Sequence, residues 1–185
     1  MSKALLFLCC CAAAASVVDR VAVVIDKTVI TEGEVQDEVR LTEFLNGQPL
    51  DLSASARRAA ADRLVDQTLI RNEVEISHYA PPSAADTDKL LQQFRQQHFR
   101  TAAAYREALA RYGITEDQLK RHLIWQLTAL RFTDLRFRSE PAPPGAESAD
   151  RAADGSASSV DQQMDAWLKQ ARGNSKIVFK QEAFQ

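Results

Sequence analysis

From Arg20 onward the chain runs "RVAVVIDKTVIT", two β-branched stretches on either side of the polar pair Asp26-Lys27, which is the pattern of a β-hairpin. A two-residue turn of the commonest type would force Lys27 to a positive φ, so the spacing leaves a slightly longer turn open. At Thr31 the period changes. Thr31-Glu32-Gly33-Glu34 has the form of a capping box and predicts a first helix that stops near Asn46-Gly47, with Pro49 just beyond. Ser53 or Ser55 then opens a second helix running to about Tyr79 and closed by Pro81-Pro82. Its apolar residues Leu64, Val65, Leu69, Ile70, Val74 and Ile76 cover more than one face, which predicts a central helix packed on several sides.

Ser83 and Asp86 form the next capping signature, starting a third helix with Leu90, Leu91 and Phe94. Thr101 starts a short fourth through Tyr105, Leu109 and Tyr112, stopped by Gly113. Thr115 and Gln118 cap a fifth that reaches about Arg138, with Leu119, Leu123, Leu127 and Leu130 on one stripe and Trp125 and Phe132 on the opposite side. Residues 139–158, "SEPAPPGAESADRAADGSAS", break the periodicity and read as a flexible linker. After it, Val160, Met164, Trp167 and Leu168 mark an amphipathic helix stopped by Gly173, and "KIVFK" reads as a strand. A lone strand needs a partner, and the hairpin supplies the other strands. The expected fold is therefore mostly α, with a small sheet formed by the N-terminal hairpin and the C-terminal strand. Residues 16–138 and 159–185 complete one domain around the linker.

Ahead of the hairpin, Lys3 gives a positive start, Ala4 to Ala12 an apolar run, and Ala13-Ala14-Ala15 a small-residue cleavage pattern. Residues 1–15 are expected to be a signal peptide cleaved after Ala15, and the product to be periplasmic. The apolar run falls short of the roughly 20 residues that span a bilayer, so no stable membrane span is expected. All three cysteines, Cys9, Cys10 and Cys11, lie in this segment, which leaves no disulfide or Cys-based metal site after cleavage. Leu8 before Cys9 does not fit a lipid-anchor signal, which wants a small residue there. A formal net charge of −2 argues against a nucleic-acid partner.

Four segments in this order resemble the SurA family of periplasmic chaperones with parvulin-type modules. "VDRVAVVIDKTVITEGEV" looks like that family's N-terminal hairpin and first helix, and "RLVDQTLIRNEVE" like its central helix. "YREALARYGITEDQLKRHLIWQLTALRF" looks like its helix-loop-helix, and "WLKQARGNSKIVF" like the Trp-containing helix and strand that close the domain. The resemblance implies a helical SurA N-terminal-like chaperone domain. In that family the parvulin-type prolyl isomerase domains are inserted between the fifth helix and the C-terminal helix. Here residues 139–158 occupy that place, and so short a run of Pro, Ala, Ser and Asp cannot bury a core. The catalytic domain is thus expected to be absent, and the chain not to be an enzyme.

The remaining candidate chemistry is sparse. His78, His98 and His122 fall in no metal-ligand spacing, and the glycines form no phosphate-binding loop. No cofactor or nucleotide is therefore expected. The carboxylate pairs Asp62/Asp66 and Glu73/Glu75 read as a solvated helix face. Arg131, Arg136 and Arg138, interleaved with Phe132 and Phe137, read as a helix end with snorkelling arginines. The expected function is that of an ATP-independent holdase for unfolded or partly folded envelope and outer-membrane proteins, with Leu41, Phe44, Leu45, Phe94, Phe99, Trp125 and Phe132 as client-binding residues. Two alternatives stand beside it: a prolyl isomerase, as the family name implies, and a non-catalytic assembly module of an envelope complex.

Overall fold

A computed structural model of the chain describes residues 19–77, 82–137 and 149–185. The expected signal peptide, residues 139–148 of the expected linker, His78 and Arg138 lie outside the described residues. Strands β1 (Val21–Ile25) and β2 (Thr28–Thr31) form the hairpin, and β3 (Ile177–Phe179) adds to the other edge of β1, giving an antiparallel sheet of order β2-β1-β3. The two ends of the fold meet there as the sequence implied. The hairpin turn is Asp26-Lys27 after all: Asp26 alone takes the left-handed backbone, at φ 50°, and Lys27 is spared. Asp is one of the few side chains that tolerate this region. It also holds the third strand, because Oδ1 accepts from the Lys176 N–H at 2.8 Å while its own N–H donates to the Lys176 carbonyl at 3.0 Å.

Six helices follow the hairpin among the described residues: α1 (Glu32–Asn46), α2 (Ala54–Ile76), α3 (Ala84–His98), α4 (Ala102–Tyr112), α5 (Glu116–Phe137) and α6 (Ala149–Asn174). Their starts are set by the caps read from the sequence. The Thr31 hydroxyl accepts from the Glu34 N–H at 3.2 Å and Glu34 reaches back to the Thr31 N–H at 2.8 Å. Ser83 with Asp86 and Thr115 with Gln118 repeat the arrangement. Ser53 and Thr101 each accept from the amide three residues on. Gly47 and Gly113 stop α1 and α4 in the left-handed region, at φ 62° and 66°.

Two apolar cores share α1. Val35 and Val39 in its first half pack with Val23 and Ile25 of the sheet and with Ala61, Val65 and Leu69 of α2. Leu41 and Phe44 in its second half pack with Leu91, Tyr105, Leu109, Leu119 and Leu123 of α3, α4 and α5. Thus α1, rather than α2 alone, is the element around which the molecule is organised. The predicted faces are correspondingly trimmed: Ile76 is 74% exposed at the end of α2, and Leu130 is 59% exposed at the end of the α5 stripe.

The last helix corrects the linker boundary. It begins at Ala149 rather than at 159, so residues 149–158 are helical. The helix breakers Pro141, Pro143, Pro144 and Gly145 all precede this point, whereas Ala149, Ala152 and Ala153 favour helix once the packed half downstream has nucleated it. That packed half is fastened to α2 by Arg172, whose Nε donates to Asp66 at 2.6 Å and whose Nη2 donates to the Asp62 carbonyl at 2.9 Å. The carboxylates expected to be solvated are a docking point. They hold the guanidinium charged, the Asp66 hydrogen bond raising its pKa above the ordinary arginine value.

Candidate functional site

The C-terminal turn of α1, the end of α3 and the length of α4 converge on Phe44. Its ring lies 5.8 Å from Phe94, 5.9 Å from Phe99 and 5.6 Å from Tyr112, the Phe99 pair stacked at 15° and the Tyr112 pair edge-on. The Gly47 cap turns the chain sharply away after Asn46, and the Tyr112 hydroxyl pins that turn by donating to the Gln48 carbonyl at 2.6 Å. Phe99 follows α3 in extended backbone, so it leaves the helical spiral and places its ring on Phe44 instead of along the α3 face. The result is an open cleft of about 400 Å³ lined by Phe44, Leu45, Phe94, His98, Phe99 and Tyr112.

This cleft brings together four of the seven residues expected to bind a client, with unequal access. Leu45, Phe94 and Phe99 are half-buried and present part of their surface. Phe44, 6% exposed, is the buried floor, and Leu41, 7% exposed, belongs to the core beneath it. Neither is free to take a client side chain, because each already fills the shared core at α1. Phe132 is a clearer correction. It is 1% exposed, 5.5 Å from the Trp167 ring and 6.1 Å from Phe137, and so serves as the apolar joint between α5 and α6. Arg136 stands beside both rings and pairs with Glu73 at 2.7 Å; Arg131 pairs with Asp86 at 3.1 Å.

Trp125 lies elsewhere. It is half-buried between α1, α2 and α5, with the Arg71 guanidinium 4.7 Å from its ring centroid. It lines two adjoining clefts of about 340 and 290 Å³ that share Glu38, Gln67 and His122. Glu38 is buried yet satisfied, accepting from Arg63 Nε at 3.3 Å and Gln67 Nε2 at 3.2 Å. Burial lowers the His122 pKa; the nearby Glu38 charge opposes that shift, and Arg71 and Arg63 reinforce it. Among the described residues no group of three or more His, Cys, Asp or Glu is placed to hold a metal ion.

A fourth concavity escaped the sequence reading. It runs between α3, α4 and the start of α5, has a volume of about 550 Å³, and has Leu91, Phe99 and Tyr105 in its floor. Tyr105 is 2% exposed, and its hydroxyl makes no hydrogen bond of ordinary length although the Glu116 carboxylate faces it; leaving such a group unmade typically costs about 1–3 kcal/mol. The Arg95 guanidinium lies 4.8 Å over its ring. Burial first, and the facing Glu116 charge second, push the Tyr105 phenol up to about 12, so it remains a proton donor. In the sequence Tyr105 is one more apolar position of a short helix, and nothing local announces that its polar end is left over.

A comparison with family models finds none that matches the chain, and a comparison with curated proteins finds no match either. No helix among the described residues is long and apolar enough to cross a membrane.

Proposed function

We propose that the protein is an ATP-independent holdase of the periplasm, which retains unfolded or partly folded envelope and outer-membrane proteins through apolar contacts and needs no nucleotide or cofactor. The observation that carries this reading is the aromatic cleft: Leu45, Phe94 and Phe99 remain half-open beside a rigid, buried floor at Phe44. A rigid floor lets an apolar client side chain dock without ordering the groove first, which keeps the entropic cost of binding low. Holding the unfolded state is sufficient for such a role, since binding it alone shifts the folding equilibrium by mass action. The order of segments that resembles the SurA family supports the same reading. The short stretch at the point where that family carries its parvulin-type domain supports a binding role without prolyl isomerase activity.

The test is aggregation suppression with an unfolded outer-membrane protein, comparing the native chain with the double variant Leu45→Gln, Phe94→Gln. Suppression by the native chain, reduced at least about threefold in the variant while its urea midpoint stays within the range of a half-exposed substitution, is the expected result. An X-Pro peptide assay run alongside is expected to show no acceleration above the uncatalysed exchange. If neither assay gives a signal and one stoichiometric partner co-purifies, the chain is an assembly module and the holdase reading fails.

A further inference from the structure

The aromatic cleft and the groove between α3, α4 and α5 share one residue, Phe99. On the far side of Phe99 the lining turns polar. Lys120 is held by Asp88 at 3.2 Å and Arg95 stands 4.0 Å from Glu116, but Arg100 has no carboxylate partner among the described residues. Arg100 also sits where α4 begins. Thr101 spends its hydroxyl on the Ala104 N–H, and the Ala102 N–H, at the positive end of the helix, has no acceptor among the described residues. The third open group is the Tyr105 hydroxyl, buried and making no hydrogen bond. Beside it stand Arg95, 4.8 Å over the Tyr105 ring, and Glu116, which faces the phenol; their side chains are 41% and 42% exposed and can part without disturbing the core.

All three open groups can donate, and the one unbalanced charge of the groove is positive, which makes it complementary to a carboxylate next to a peptide backbone. We propose that this groove receives an acidic residue of a client segment whose bulky apolar residues occupy the aromatic cleft across Phe99. Arg100 pairs with the carboxylate and the Ala102 N–H points at the same position; the Tyr105 hydroxyl donates to a client carbonyl once Arg95 swings aside. This inference rests on the holdase reading and adds what that reading leaves open, a preference for apolar segments flanked within a few residues by Asp or Glu.

Fluorescence anisotropy at low salt with three labelled peptides tests it. The peptides share one aromatic pair and carry Glu, Gln or Lys at the flanking position. The native chain is expected to bind the Glu peptide about fivefold more tightly than the Gln peptide and to bind the Lys peptide most weakly. Arg100→Gln should bring the Glu and Gln peptides within about twofold of each other, while Arg106→Gln, an exposed α4 position outside the groove, leaves the preference intact. Equal binding of all three peptides by the native chain overturns the acidic preference and leaves the holdase reading standing. A preference that survives Arg100→Gln overturns the assignment to this groove. Failure of the native chain to bind any of the peptides sinks both.

Discussion

Trp125 and Phe132 stand seven residues apart on α5 and share a helical face, yet Phe132 is buried and Trp125 only half-buried. Phe132→Ala removes the ring that joins α5 to α6 and should cost about 3–5 kcal/mol in urea unfolding. Trp125→Ala loses half-buried area and an exposed cation–π contact, and should cost less than about 2 kcal/mol. Equal losses would mean that the two rings are equally buried. Tyr105 gives the residue-scale test by pH. Its folded pKa, about 12, lies above the ordinary phenol value of 10.0, so the folded state keeps a proton that the unfolded chain releases. Its contribution is fully present below pH 10 and is lost as pH rises from there toward 12. Tyr105→Phe should flatten that decline in a denaturation series. At pH 7 the same substitution should leave stability unchanged or slightly raised, because no hydrogen bond is lost with the hydroxyl. His122 works in the opposite direction: its folded pKa lies below 6.5, so stability falls as pH drops below that value, and His122→Gln should remove this part of the acid sensitivity.

At the scale of elements, Arg172 decides whether α6 stays on α2. Its contacts with Asp66 and with Asp62 are charge-assisted but about a third exposed, so Arg172→Met should cost about 1–2 kcal/mol, and most of that loss should vanish when Asp66 is already Asn, as a double-mutant cycle reads it. The helix starts at Thr31, Ser53, Ser83, Thr101 and Thr115 were legible in the sequence because a cap is a local bargain between a side chain and amides two or three residues on. The meeting of hairpin and terminal strand was legible because a strand of three residues has no stability alone. What lay opposite each helix was not legible. The 100° rule gives Phe132 a direction but not the Trp167 ring that meets it. Periodicity likewise assigns Asp62 and Asp66 to a polar face without revealing the arginine over a hundred residues away that occupies it. The aromatic cleft was half legible. Phe94 and Phe99 were found by size and type, whereas the burial of Leu41 and Phe44 depends on α1 serving two cores at once.

The whole molecule closes on itself through β3. Removing residues 159–185 takes away Arg172, Trp167 and the strand that covers one edge of β1, so that Val23 and Ile25 lose their β3 partners and Phe132 loses the Trp167 ring. The remainder should lose its cooperative thermal transition by circular dichroism; a sharp transition within a few degrees of the full chain would show that residues 16–138 fold alone. The hydrogen bonds between Asp26 and Lys176 span 150 positions of sequence, which sets an order of events during synthesis. At typical elongation rates, roughly 10–30 s pass between the appearance of β1 and the arrival of the strand that covers it. For that interval the growing chain carries a naked strand edge, the feature that most readily pairs with a stranger. While it is being made, a protein of this architecture is itself in need of the kind of protection it is proposed to give.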